Sequence, residues 1–128
     1  MIFVANEEVE ETGGAYTHEA TLKVNRGYIL RYDIRMSSGT DATSYLKIFY
    51  HGHQILPANA DQGLLVTNIF IRMPELLPIL EPPYELLLKL SNSHDDAHNY
   101  VNVAVLLIEP ALMNMIGARF AEPLTPIL

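Results

Sequence analysis

The sequence predicts an all-β protein folded as a two-sheet antiparallel sandwich, and three features predict it. From Tyr28 to Met36, Tyr28, Leu30, Tyr32, Ile34 and Met36 fall on one side while Arg31, Asp33 and Arg35 fall on the other. Successive side chains of a strand point to opposite faces, so this stretch has one dry face, and a one-residue slip would bury three charges. From Tyr84 to Ile108, the residues Tyr84, Leu86, Leu88 and Leu90 form one apolar stripe, and Val101, Val103, Val105 and Leu107 form a second. A loop of Ser, Asn and Asp joins them, which predicts a long antiparallel hairpin at the centre of the protein. Finally, short runs of this kind recur along the chain with turn residues at short spacing, the pattern of a sandwich.

Composition bounds the function. A chain of 128 residues can bury a sizeable core as one domain, and the absence of cysteine removes disulfides, thiolate metal sites and thiol nucleophiles together. With Lys+Arg 8 against Asp+Glu 15, the net charge of −7 opposes phosphate backbones and anionic lipid, so nucleic acid is not an expected partner. The start MIFVANEEVEETGG lacks the basic and apolar regions of a secretory signal, and no apolar run reaches the roughly 20 residues of a membrane helix. A soluble chain without membrane insertion is expected. Its hydrophobic fraction of 49% and mean hydropathy of +0.13 are high for one small sandwich and point to self-association or a place in a larger assembly.

Taken in order, Ile2 to Ala5 predicts a short edge strand, followed by an acidic turn region from Asn6 to Gly14. Ala20, Leu22 and Val24 alternate with Thr21 and Lys23, the mark of a half-buried strand over 16–24, and Asn25-Arg26-Gly27 closes a turn. After the strand over 28–36 and a polar loop, YLKIFYHGHQIL predicts a second hairpin with His51-Gly52 at its tip. Leu46, Ile48 and Tyr50 would face the core, leaving Tyr45 and Phe49 as outward aromatics. The run from Leu64 to Met73 is apolar on both faces, with Leu64, Val66 and Phe70 on one and Leu65, Ile69 and Ile71 on the other, so a neighbouring chain is expected to cover one of them. MPELLPILEPP carries four prolines and predicts an irregular crossover with one helical turn at Glu75 to Leu77. Residues 1–110 thus form a sandwich of about eight strands, a jelly roll or a related Greek key. Residues 111–128 form an apolar C-terminal arm, with a short helix over 111–118 stopped near Gly117 and an extended tail from Arg119.

Candidate chemistry is sparse. His51 and His53 flank one hairpin tip, and His94, Asp95, Asp96 and His98 occupy the other polar loop, so imidazoles and carboxylates could converge on a ligand there. HDDAH nevertheless lacks the glutamate of a zinc-protease helix, and turn chemistry alone accounts for these residues. No metal or other cofactor is assigned. No serine sits in a G-x-S-x-G context and no glycine-rich phosphate loop is present, so no catalytic residue is named and no enzyme is expected. The interface candidates are Tyr45, Phe49, Leu64, Val66 and Phe70, together with Leu112, Ile116, Phe120, Leu124, Ile127 and Leu128 of the arm.

The short strands, the tight hairpin YHGHQIL, the proline-rich crossover MPELLPILEPP and the apolar terminal arm together resemble the small jelly-roll coat and capsid-decoration proteins of viruses. The resemblance spans most of the chain. It implies a non-enzymatic virion subunit that works through repeated contacts with its own copies and with other shell subunits. The alternative is a carbohydrate- or receptor-binding sandwich that uses the tips at His51 and His53 and at His94 and His98.

Overall fold

The computed structural model describes residues 2–10, 17–38, 44–58, 62–67, 69–92 and 99–121. In them the chain forms β1 (Ile2–Glu10), β2 (Thr17–Lys23), β3 (Gly27–Ser38), β4 (Ser44–Tyr50), β5 (His53–Leu56), β6 (Leu64–Leu65), β7 (Phe70–Ile79), β8 (Glu85–Asn92), β9 (Asn99–Ile108) and α1 (Pro110–Ala121). Sheet I has the order β1-β9-β3-β7, and sheet II has the order β2-β8-β4-β5 with β6 also on β4. All pairings are antiparallel, and they nest: β1 with β9, β2 with β8, β3 with β7, and β4 with β5 and β6. The chain is therefore a long ribbon folded back at β4 to β6 and wrapped into two facing layers, which is the jelly-roll course.

The core lies between the layers. Leu86, Leu88 and Leu90 from sheet II and Val101, Val103, Val105 and Leu107 from sheet I are all at most 1% exposed. These are the two predicted stripes, but their relation differs from the expected hairpin. β8 lies between β2 and β4 in one sheet, and β9 lies between β1 and β3 in the other. Alternation fixes which face of a strand is dry; it does not say whether the matching stripe sits beside it or across the core. A polar link crosses the layers where the buried Asn99 Nδ2 donates to Ser44 Oγ at 2.5 Å.

Five further expectations are corrected. In β3 the register shifts at Leu30, so the buried side chains are Ile29, Tyr32, Ile34 and Met36 rather than one unbroken series starting at Tyr28. Such a bulge adds one residue and exchanges the two faces. Gly27 belongs to the same irregular start, because a Cβ there would collide with the carbonyl oxygen of Ile108. β1 continues through the acidic stretch to Glu10, since Val9 is buried while Glu8 and Glu10 face outward.

The run over 64–73 is two strands. β6 adds to β4 in sheet II, and β7 starts at Phe70 in sheet I. The proline-rich stretch is the rest of β7, an edge strand rather than an irregular crossover or a helical turn. Ile69 points its carbonyl at β3, accepting from the Met36 amide at 2.9 Å. Pro74 and Pro78 have the opposite parity, so their nitrogens face the open edge, where no donor is required. Finally, α1 runs through Gly117 to Ala121 rather than ending near Gly117, and the Met113 amide donates to the Glu109 carbonyl at its start. A mid-helix glycine costs only about 1 kcal/mol, too little to end a helix on its own. Among the described residues no helix is long and apolar enough to cross a membrane.

Tyr32 is 1% exposed, and its hydroxyl has no hydrogen-bond partner among the described residues. Burial, helped by the nearby Glu75 carboxylate, pushes its pKa upward. Tyr32→Phe should therefore raise the unfolding midpoint, with a gain of about 1 kcal/mol from removing an unpaired buried polar group. Chemical denaturation checks this, and a lower midpoint would show that the hydroxyl is satisfied.

Candidate functional site

Because both inner faces are committed to the core, the functional candidates lie on the outer faces and the flanks. On sheet II, Tyr45 stands exposed directly opposite Leu65, also exposed. It lies against the backbone of Gly63, where an added Cβ would meet the tyrosine Cγ at 3.1 Å. Lys47 faces Lys89 across the β4–β8 ladder, and Lys89 Nζ is 4.0 Å from Glu19 Oε1. Phe49, half-buried beside Leu87, floors a depression of about 430 Å³ that ends at His51, Gly52 and Pro83.

The turn at that end is built as the sequence predicts. His51 and Gly52 have φ of 49° and 79°, the left-handed pair of a tight hairpin. The His51 ring stacks on Tyr50 with centroids 3.9 Å apart, and its Nε2 donates to the Pro83 carbonyl at 3.3 Å. Tyr50 in turn donates its hydroxyl to the Glu81 carbonyl at 2.9 Å. These contacts tie the hairpin tip to the segment before β8. His53 is exposed opposite Tyr50, while His94 and His98 lie outside the described residues. Among the described residues no group of three His, Asp or Glu is placed to hold a metal ion.

The outer face of sheet I is charged. Asp33 is held from two sides: Arg31 Nη2 donates to Oδ2 at 3.0 Å, and Arg72 Nε donates to Oδ1 at 3.1 Å. The Arg35 guanidinium lies over the Phe70 ring at 5.4 Å, and Arg72 approaches the same ring at 5.6 Å. Guanidinium groups are attracted to the negative face of an aromatic ring at such distances. Beside them, over Asn102 and Ala104, lies a depression of about 370 Å³. Tyr100 donates its hydroxyl to Glu8 Oε1 at 2.6 Å.

The predicted interface residues are thus dispersed. Tyr45 and Phe49 share the outer face of sheet II, Phe70 belongs to sheet I, and Leu64 is half-buried against the core. Val66 is 0% exposed, so it is a core residue and not a contact residue. Its amide donates to the Ser44 carbonyl, and its side chain keeps the inward parity of Leu64 while Leu65 between them faces outward. Leu112 is half-buried on α1, which lies against β3. Ile116 and Phe120 fall within α1, but their side chains lie outside the described residues, as do Leu124, Ile127 and Leu128 altogether. The sequence reading missed Leu65, Ile69 and Leu76, all exposed. Thr67 and Asn68, interrupting the apolar run, are the signal that it is not one strand.

No protein-family model matches this chain, and no curated protein matches it. Solved structures with a similar course include the mitogen of Yersinia pseudotuberculosis, at 11% identity and a TM-score of 0.48, with 82% of this chain and 86% of that one covered. Another is from tomato aspermy virus, at 10% identity and a TM-score of 0.46, with 86% and 80% covered. A third, described as CBM4, has 9% identity and a TM-score of 0.38, with 80% and 70% covered.

The hydrogen bond to Glu8 raises the pKa of Tyr100 above that of an ordinary phenol. A raised folded-state value favours the fold below pH 10 and ceases to do so as the pH climbs through it. Glu8→Gln should lower the Tyr100 midpoint, followed by NMR of the tyrosine ring carbons. An unchanged midpoint would show that the carboxylate is not its partner.

Proposed function

We propose that this chain is a structural, self-associating subunit of a protein shell, a virion coat or decoration layer, acting through repeated contacts with its own copies and with other shell subunits. The observation that carries this is the apolar flank where the chain passes from sheet II to sheet I. Tyr45 and Leu65, on the outer face of sheet II, and Ile69 and Phe70, where the chain enters sheet I, are each 40 to 49% exposed. Exposed apolar patches of this kind mark contact sites. Turnover and cofactors have no part in the proposal. A second possibility, a carbohydrate- or receptor-binding module, draws on the depression floored by Phe49 and closed by His51.

Light scattering over a wide concentration range should show wild-type oligomers. The double variant Tyr45→Ser, Leu65→Ser should keep its circular dichroism and associate at least about tenfold more weakly, the effect of losing 1.4 kcal/mol or more of contact. A wild-type protein that stays monomeric throughout would defeat the proposal. Binding to a glycan or receptor that Phe49→Ala abolishes, in a monomer, would favour the second possibility.

A further inference from the structure

We propose that the outer face of sheet I is a two-fold contact surface for a second copy of this chain, in which the acidic β1 rim of each copy seats on the Arg35, Phe70 and Arg72 rim of the other. This deepens the self-association proposed above and rests on it. The register of the sheet carries it. One row across the face reads Glu8, Asn102, Arg35, Phe70, and the next reads Asn6, Ala104, Asp33, Arg72. Acid therefore sits at one margin and guanidinium at the other, about 14 Å apart for strands about 4.8 Å from their neighbours.

Nearer the other end of the strands, both margins are apolar. On β1, Ile2 is 55% and Val4 69% exposed; on β7, Leu76 is 57% exposed between Pro74 and Pro78. Val4 lies in one row with Leu106, Arg31 and Pro74. A two-fold axis parallel to the strands, between β9 and β3, exchanges β1 with β7 at equal height. That single operation sets Glu8 over Phe70 between two guanidiniums, and Val4 and Ile2 over the Leu76 margin. An isologous contact requires just such a self-complementary patch.

The chain is acidic as a whole, yet this face is balanced: Glu8, Glu10 and Asp33 against Arg31, Arg35 and Arg72. Arg35 has no carboxylate partner among the described residues, because Asp33 is taken by Arg31 and Arg72. Glu8 accepts from Tyr100 through one oxygen, Oε1, at the β1 rim. Extension of the sheet through β7 is blocked by the prolines at its open edge. Nine residues by four strands present about 600 Å² per copy, at the lower end of specific interfaces, so the contact should be modest and salt-sensitive.

Sedimentation velocity on the full chain, at low and high salt, tests it. Glu8→Arg and Arg35→Glu should each weaken the dimer at least about tenfold, and the double variant carrying both should recover most of the loss, since the exchanged charges again oppose each other. Circular dichroism confirms that each variant is folded. A wild-type dimer that neither single variant weakens, or a double variant no tighter than the singles, overturns this contact and leaves association through the apolar flank standing. A monomeric wild type overturns both.

Discussion

The structure depends on one constraint: the aliphatic stripes of β8 and β9 must be shielded from water, and they shield each other across the core. Each of the seven side chains involved contributes about 1.5 to 3 kcal/mol when fully buried. Among the described residues no other pair of stripes is as continuous. Because these strands occupy the middle of their sheets, each needs a partner on both edges. β1 and β3 serve β9, and β2 and β4 serve β8. The nested pairing follows from that demand, and sheets about 10 Å apart leave room for little else between them.

The remaining features settle what the core leaves open. The Asn99 to Ser44 bond crosses the layers where polar side chains would otherwise be stranded. Edges receive separate treatment: β7 carries prolines on its open side, and the edge beside β4 is broken into two short strands, β5 and β6. Both devices discourage strand addition by another chain. Association along those two edges is thereby disfavoured, and exposed apolar and charged side chains are found on the faces and flanks.

The sequence made the faces legible and the neighbours illegible. Tyr32, Ile34, Met36, Leu46, Ile48 and both central stripes are buried on the sides that alternation assigned, because a strand with one dry face permits no other phase. Pairing was harder. The polar loop before Asn99 suits a hairpin turn as well as a passage between sheets, so β8 and β9 looked adjacent. Pro74 and Pro78 looked like breakers because only the sheet order reveals an open edge. Val66 shares an outward face with Phe70 only if their run is one strand, whereas Leu65 pairs in sheet II and Phe70 in sheet I. Of the candidate site, the outward aromatics Tyr45 and Phe49 were legible from parity. The Arg35, Phe70 and Arg72 cluster was not, since it joins two strands that are remote in sequence.

Both functional proposals presuppose that β8 and β9 are the paired centres of opposite layers. Native-state hydrogen exchange, resolved by residue, tests that most directly, because amides in the shielded middle open only with global unfolding. The account predicts that residues 86–90 and 101–107 exchange together as the slowest amides, well behind those of β5, β6 and β7. Strong protection in one stretch with fast exchange in the other, or edge amides as slow as both, would contradict it.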